Sequence, residues 1–273
     1  MLTVNEHPWP WRTGLRLGEL AVQVKPGADI LLLGGARADP ATLVQDGDFC
    51  TVIKRGELPT GREIDRVLEA RHGREHQALL RRATVGILGL GGLGSALACC
   101  LAKIGVGKLI LADYDVVTLS NLHRQHYFLD QVGHRKTEAL AASLMRINPY
   151  LDVRLLDRRL TEEDIPRLFP AADVLAECFD DPAMKAAALR ATLLHLPRTA
   201  YVGASGLAGT GCGETIISRP LRPGVYLVGD GSSEAGADGG LWAPRVGIAA
   251  HQQANQILRL LLGQDEGRVK GEG

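Results

Sequence analysis

The sequence has no excess of charge, no long apolar run and no paired-cysteine motif, and each absence narrows what the chain can do. Lysine plus arginine and aspartate plus glutamate both total 31, giving a formal net charge of zero. A balanced chain offers no electrostatic reason for nucleic acid or an anionic membrane to be a general partner. No stretch approaches the roughly 20 apolar residues that cross a bilayer. The start, Met1-Leu2-Thr3-Val4-Asn5-Glu6, has neither a basic nor an apolar leader region, and the expectation is a soluble cytoplasmic protein. Five cysteines (Cys50, Cys99, Cys100, Cys178 and Cys212) are odd in number and irregularly spaced, with no Cys-x-x-Cys, which does not suggest a disulfide framework. Internal repeats and low-complexity blocks are also missing. What remains is a 273-residue chain with 45% hydrophobic content, enough for one large α/β domain and a small one.

Its organising stretch is Val85-Gly86-Ile87-Leu88-Gly89-Leu90-Gly91-Gly92-Leu93-Gly94-Ser95. The apolar run 85–88 suits a buried central strand. Gly89, Gly91, Gly92 and Gly94 allow the tight turn and close backbone approach needed where a polyphosphate meets a helix N-terminus. Ser95-Ala96-Leu97-Ala98 continues as that helix. A second apolar run, Leu109-Ile110-Leu111-Ala112, ends in Asp113, about 24 residues beyond Gly89, where a carboxylate would hold ribose hydroxyls. The pattern reads as a mononucleotide-binding βαβ half. Taken alone, it fits a turn that merely packs a helix on a sheet as well.

The residues that follow decide between these. Asp113, Asp115, Asn121, Arg124 and Gln125 cluster after the strand end, followed by Gly133 and Lys136. A nicotinamide site needs one ribose-binding acid there and no phosphate-binding cation beyond it. Arg124 and Lys136 instead supply donors for a triphosphate tail, which argues for ATP over NAD. Local alternatives stay open: Asp115 capping a turn, Lys136 an exposed helix lysine, Asp180 or Asp181 an N-cap of the helix that starts near Met184. His123, His126 and His134 offer no closed ligand set for a metal.

The segments 89–95, 113–125, 133–136 and Asn148-Pro149 resemble the ThiF/MoeB/HesA adenylyltransferases, whose fold is shared with ubiquitin-activating enzymes. Glu177-Cys178-Phe179-Asp180-Asp181 resembles the family's Asp-Cys-x-Asp-Asn segment, and Gly240-Leu241-Trp242-Ala243-Pro244-Arg245-Val246-Gly247 its Gly-x-x-Ala-Pro-x-x-Gly segment. The likeness covers most of residues 71–263. It implies attack by the C-terminal carboxylate of a diglycine-ended, ubiquitin-like sulfur carrier on the α-phosphorus of ATP. By the resemblance, Asp113 binds ribose, Asn121 a phosphate oxygen, and Gly89 to Gly94 with Leu93, Asp115 and Gln125 line the ATP site. Arg124, Lys136 and Arg74, the last from the other subunit of a homodimer, offset phosphate charge, and Asp180 holds Mg²⁺. Arg74 also fits an ordinary solvated basic helix face. Many relatives hold a structural zinc ion with two Cys-x-x-Cys pairs, but the matching stretch 218–243 has no cysteine, so no zinc is expected and the zinc-free ThiF branch of thiamine thiazole synthesis is the nearest likeness. Cys212 is the candidate for a covalent thiol role, though its glycine neighbours supply no activating cation.

The expected fold class is α/β: a Rossmann-like, doubly wound, largely parallel sheet with antiparallel additions, preceded by a small α+β β-grasp, ubiquitin-like domain. Residues 1–58 alternate short strands and turns around a helix at 17–24, with strands at 2–4, 9–12, 29–33 and 49–53. Gln45-Asp46-Gly47-Asp48 before the last strand resembles the sulfur carrier ThiS. A working carrier ends in a free diglycine, yet here Gly34-Gly35 is internal and Lys54-Arg55-Gly56-Glu57 runs on, so an inhibitory, docking or vestigial module is expected. Residues 59–81 form a linker helix capped by Thr60, 82–263 the ATP-binding domain and 264–273 a flexible tail. Within the large domain, Thr161 to Asp164 should cap a helix, Ala204 to Thr210 form a mobile crossover, Thr215-Ile216-Ile217 a late strand and Gly229 to Gly240 a flexible loop. The rivals to adenylation are a nicotinamide-dependent oxidoreductase and a non-catalytic carrier-binding protein.

Overall fold

A computed structural model describes residues 1–234, 236 and 239–264. The chain forms two units, Met1–Gln77 and Ala78–Gly273. Most of the Gly229 to Gly240 loop is described, but residues 235, 237 and 238, with the tail from 265 onward, lie outside the described residues.

The first unit contains β1 (Leu2–Val4), β2 (His7–Trp9), α1 (Leu17–Val24), β3 (Ile30–Leu33), β4 (Ala36–Arg37) and β5 (Phe49–Ile53). Its strands lie in the order β2-β1-β5-β3-β4, with β1 parallel to β5 and the other pairs antiparallel. Leu2, Val4, Leu17, Leu20, Cys50 and Val52 form its core. The β1–β2 turn places Asn5 and Glu6 at φ 47° and 66°, the left-handed region a tight hairpin requires. Asn5 is held there because its amide donates to the Val52 carbonyl at 3.0 Å and accepts from the Val52 N–H at 2.8 Å. The second strand is shifted from the expected 9–12: His7 and Pro8 pair with β1, whereas Trp11 lies outside and donates from its indole to the Val44 carbonyl at 2.9 Å. Pro8 is tolerated because β2 is an edge strand. The linker is two helices, α2 (Gly61–His72) and α3 (Arg74–Arg82), separated by Gly73 at φ 86°. Thr60 and Glu63 cap α2 reciprocally.

The second unit is built on β6 (Thr84–Leu88), β7 (Lys108–Asp113), β8 (Asp152–Asp157), β9 (Val174–Glu177), β10 (Ala200–Ala204), β11 (Ile217–Arg222) and β12 (Val225–Gly229). The sheet order is β11-β12-β10-β9-β6-β7-β8. All neighbours are parallel except β11, which runs antiparallel to β12. Its helices are α4 (Gly92–Lys103), α5 (Lys136–Ile147), α6 (Asp164–Leu168), α7 (Pro182–His195) and α8 (Ala243–Leu261). Val85 and Ile87 of β6 join the core formed with α4, α5 and α8, while Leu88 joins the opposite core with Phe169, Leu175 and Tyr201. The chain winds outward from β6 through β7 and β8, then restarts at β9 on the other side. The crevice at the carboxyl ends of β6 and β9 is therefore the switch point where open α/β sheets take ligands. No helix among the described residues is long and apolar enough to cross a membrane.

Two expectations need correction here. Gly213–Thr215 is a 3-10 turn, and the strand begins only at Ile217 and pairs with an unforeseen partner, β12. Pro220 and Pro223 obscured this hairpin, but β11 is an edge strand whose register shifts between Pro220 and Arg222, which accommodates a residue without an N–H. Thr161 does not cap α6 with its hydroxyl; its N–H donates to Asp164 at 3.1 Å, and Arg167 pairs with the same carboxylate.

Gly86 lies beneath Phe169: a Cβ there would meet the Phe169 ring and the Leu175 side chain at 2.6 Å. Phe169→Ala removes a fully buried ring and should lower the stability of this unit by about 3–5 kcal/mol, read as a shifted midpoint at unchanged slope in urea denaturation.

Candidate nucleotide-binding site

The turn between β6 and α4 is shaped by what cannot fit beside it. Gly89, at φ 90°, would place a Cβ 2.9 Å from the Cys178 carbonyl oxygen, and Gly94 would place one 2.0 Å from the Gly89 carbonyl oxygen. A Cβ on Gly92 would lie 2.8 Å from the Val246 side chain and 3.2 Å from the Arg124 carbonyl oxygen. Gly91 has only the Gln125 amide near it, at 3.7 Å, so the N-terminus of α4 is open there. Leu93 is buried and anchors the helix. Three further bonds fix the turn: Tyr127 donates its hydroxyl to the Leu90 carbonyl at 2.8 Å, Ser95 donates to the Gly91 carbonyl at 2.6 Å, and Asp113 accepts from the Leu90 N–H at 2.6 Å. Asp113 also accepts from the Asp115 N–H at 2.8 Å. It therefore shapes the turn as well as ending β7, and each of its oxygens retains a second lone pair for a ligand hydroxyl.

The next segment orders the polar donors. Asn121, in a 3-10 turn at Leu119–Asn121, accepts from the Thr118 N–H at 3.1 Å, leaving its NH₂ available. Lys136 opens α5 with its side chain 6% exposed and its ammonium 2.7 Å from the Asp115 carboxylate. Asp115 is thus the counter-ion of Lys136 and not simply a turn cap, and Lys136 is not a solvated lysine. Arg124 is half-buried and has no carboxylate partner among the described residues; its guanidinium lies 3.2 Å from His123 Nε2. Gln125 is buried, and its Oε1 accepts no hydrogen bond. Arg124 and Gln125 open onto a cavity of about 620 Å³ bounded by α4, α5 and α8, whose wall includes Lys103, Arg146, His126 and His251.

On the other side of the glycine turn, β9 ends in a second turn whose Phe179 ring would lie 3.3 Å from a Cβ on Gly89. Asp181 caps α7 by accepting from the Ala183 N–H at 2.9 Å. Asp180 is exposed and makes no hydrogen bond or ion pair among the described residues. The alternative between the two acids is thereby resolved: Asp181 is the structural one. No group of three or more His, Cys, Asp or Glu side chains that could cage a metal exists among the described residues, the three histidines included. Mg²⁺ commonly takes one or two carboxylates plus substrate phosphates, and a free Asp180 fits that donor set. Burial, then the charges of His251 and Lys103, holds His126 below the usual histidine range.

Sequence reading missed the groups that brace this end of the sheet. Glu177 is 1% exposed and paired with Lys185 at 2.9 Å. Arg245, at the start of α8, binds the Gly211 and Cys212 carbonyls at 2.8 and 2.9 Å, Thr215 at 3.1 Å and Asp230 at 2.6 Å. The segment Ala204 to Thr210, expected as a mobile crossover, is tied at both ends: the Ser205 N–H donates to the Val228 carbonyl at 2.8 Å, and the Gly209 N–H to the Gly240 carbonyl at 3.0 Å. Asp230 within a Gly-Asp-Gly and Arg245 after Ala243-Pro244 were the available signals. Cys212 is exposed. Burial pushes the thiols of Cys99, Cys100 and Cys178 up, which disfavours their thiolates. Arg74 belongs to the first unit, where its side chain is 88% exposed and its Nε lies 3.9 Å from the Glu69 carboxylate.

Sheet order, glycine turn and terminal carboxylates together define a Rossmann-like nucleotide-binding α/β protein. Within that class the chain belongs to the ThiF family, which it matches over residues 64–272. It is 31% identical over 229 residues to the adenylyltransferase and sulfurtransferase UBA4 of Eremothecium gossypii, covering 76% of this chain and 49% of that protein. It is 33% identical over 192 residues to the sulfur carrier protein ThiS adenylyltransferase of Escherichia coli, covering 68% of this chain and 75% of that protein. The chain spans about half the length of UBA4. Among solved structures, the tRNA N6-threonylcarbamoyladenosine dehydratase TcdA of E. coli, in complex with ATP, shares the fold with a TM-score of 0.67 at 20% identity, over 74% of this chain and 95% of that one.

The Arg245–Asp230 pair gives an acid-side signature. Burial pushes the Asp230 carboxyl up, but hydrogen bonds from Ser233, Ser232 and Arg245 outweigh it and hold the group well below the usual carboxylate range. The unfolded carboxyl titrates near about 3.9, so below that pH the unfolded chain binds the extra proton. The stabilisation is therefore complete above about pH 4 and is lost as pH falls through the folded value. Arg245→Met leaves Asp230 buried without its partner and should cost about 3–5 kcal/mol near neutrality. Urea denaturation at a series of pH values should show that loss, with a shallower acid-side decline than in the wild type.

Proposed function

We propose that the protein adenylates the C-terminal carboxylate of a ubiquitin-like sulfur carrier at the expense of ATP. One observation carries this reading: the glycine turn lies between Arg124, whose carbonyl oxygen and Cγ lie against Gly92 and whose guanidinium has no carboxylate partner among the described residues, and the Cys178–Phe179 turn against Gly89 that leads into the free carboxylate of Asp180. An ATP phosphate chain at the α4 N-terminus needs both signs of charge, a cation for its oxygens and a carboxylate for the accompanying Mg²⁺. A nicotinamide site does not require that arrangement.

The carrier's terminal carboxylate is already ionised near neutrality, so no general base is required. Its attack on the α-phosphorus forms the acyl–phosphate bond and breaks the bond to pyrophosphate. Asp113 holds the ribose, the α4 N–H groups and Asn121 hold phosphate oxygens, and Arg124 offsets the charge that gathers on the leaving group. Lys136 donates from a pair already neutralised by Asp115, so the unneutralised cations beside the turn are Arg124 and, on the adjoining cavity wall, Lys103 and Arg146. Asp180 would hold Mg²⁺, which would supply positive charge against the phosphates. Arg74 of a second copy in a homodimer supplies a further cation in this reading.

The carrier is of the ThiS type, in thiamine thiazole synthesis, and the site needs no structural zinc; the ThiS adenylyltransferase relative and the lack of Cys-x-x-Cys support this. The first unit is a β-grasp module related to such carriers, a reading supported by its strand order and by the parallel β1–β5 pair. Its Gly34-Gly35 sits in the β3–β4 turn at φ 58° and 85° and offers no carboxylate to adenylate.

ATP–pyrophosphate exchange by the full chain, alone and with a separate diglycine-ended ThiS-type carrier, tests the proposal. Exchange should depend on the carrier and fall by about 10²–10³-fold in Asp180→Ala. ATP binding without exchange would point to a non-catalytic carrier-binding protein, and failure to bind ATP to the dinucleotide alternative.

A further inference from the structure

Glu177 is an acid in an expensive place. It ends β9 in the middle of the sheet, opposite Leu88 of β6, with 1% of its surface exposed. Burial pushes its carboxyl up, and Lys185 and the Phe179 N–H act against that. A carboxylate so buried is costly unless its oxygens are all engaged, and here they are. Oε1 accepts from the Phe179 N–H at 2.7 Å and from the Lys185 ammonium at 2.9 Å, while Oε2 lies 3.5 Å from the Ala204 N–H.

Lys185 links three elements. Its ammonium reaches from the first turn of α7 to Glu177 at the end of β9 and to the Ala204 carbonyl, at 2.9 Å, at the end of β10. Residues 177 and 185 thus close a loop in the chain, and Asp180 lies inside it. The Phe179 N–H, one residue before Asp180, is bound to the same carboxylate oxygen that Lys185 holds. On its other side the loop is fixed by the Asp181 cap of α7 and by the Cys178 N–H, which donates to the Leu88 carbonyl at 2.8 Å. Asp180 itself is held by nothing among the described residues, so its direction is set by its neighbours.

We propose that Lys185 and Glu177 are positioning residues: by closing the 177–185 loop, their ion pair aims the Asp180 carboxylate at the metal that accompanies ATP. This rests on the reading of Asp180 as the Mg²⁺-binding acid. Neither residue touches nucleotide or metal. Outer partners that orient a ligating carboxylate commonly change metal affinity by about 10–100-fold when removed.

The test measures metal binding apart from turnover. Mn²⁺ binding to the full chain in the presence of ATP is followed by electron paramagnetic resonance, and ATP binding alone is measured in EDTA. Lys185→Met should weaken Mn²⁺ binding about tenfold or more while leaving metal-free ATP affinity within about twofold, and Lys185→Arg should restore most of the loss. Against an Asp180→Ala background, Lys185→Met should have no further effect on Mn²⁺, because the residue acts only through Asp180. Unchanged Mn²⁺ affinity in Lys185→Met, a parallel fall in metal-free ATP affinity, or additivity with Asp180→Ala would each overturn the proposal. Should Lys185→Met fail to fold, Glu177→Gln, which keeps the shape and removes the charge, carries the same comparison with the same outcomes. Wild-type exchange is measured alongside: its absence together with the expected Mn²⁺ pattern rejects adenylation and leaves the positioning role standing.

Discussion

Two turns leave the carboxyl ends of adjacent strands β6 and β9, and they meet backbone to backbone at Gly89 and the Cys178 carbonyl. That contact leaves no room for a side chain, and the rest of the site is arranged around it. It sets how closely the α4 N-terminus approaches the turn that carries Asp180. It also explains why so many bonds converge on one short stretch: Tyr127, Ser95 and Asp113 secure the β6 side, and Glu177, Lys185 and Asp181 secure the β9 side. Rigidity on both sides lets exposed polar groups face a ligand without giving way to it.

The contrast between paired and unpaired charges then sorts the residues by role. Lys136 with Asp115, Lys185 with Glu177 and Arg245 with Asp230 are each matched within the fold. Arg124 and Asp180 are not matched by opposite charges among the described residues. A half-buried cation is costly to leave unmatched, and an exposed acid that pairs with nothing is free to take a ligand; a metal-bound polyphosphate pairs with both.

Sequence reading recovered the parts of this design that depend on local pattern. Short apolar runs ending in glycine or aspartate located β6 and β7, and glycine spacing located the turn. The resemblance to a known family singled out Arg124, Lys136 and Asp180. It missed what depends on pairing across the chain. Asp115 looks like any acid in a loop until Lys136 is seen 2.7 Å away. Glu177 looks like the polar end of a strand, and Lys185 like a helix-surface lysine, until the sheet brings them together. Strand β12 escaped notice because the prolines beside it signal a break, whereas an edge hairpin absorbs them.

The internal neutralisation of Lys136 has a consequence for how a nucleotide arrives. Before contact the attraction comes from Arg124 together with Lys103 and Arg146 of the adjoining cavity wall, cations with no carboxylate partner among the described residues. Their pull reaches about 8–10 Å at ordinary ionic strength, whereas the fixed N–H groups of the turn act only on contact. Salt in the surroundings therefore slows the arrival of a polyphosphate more than it loosens one already seated.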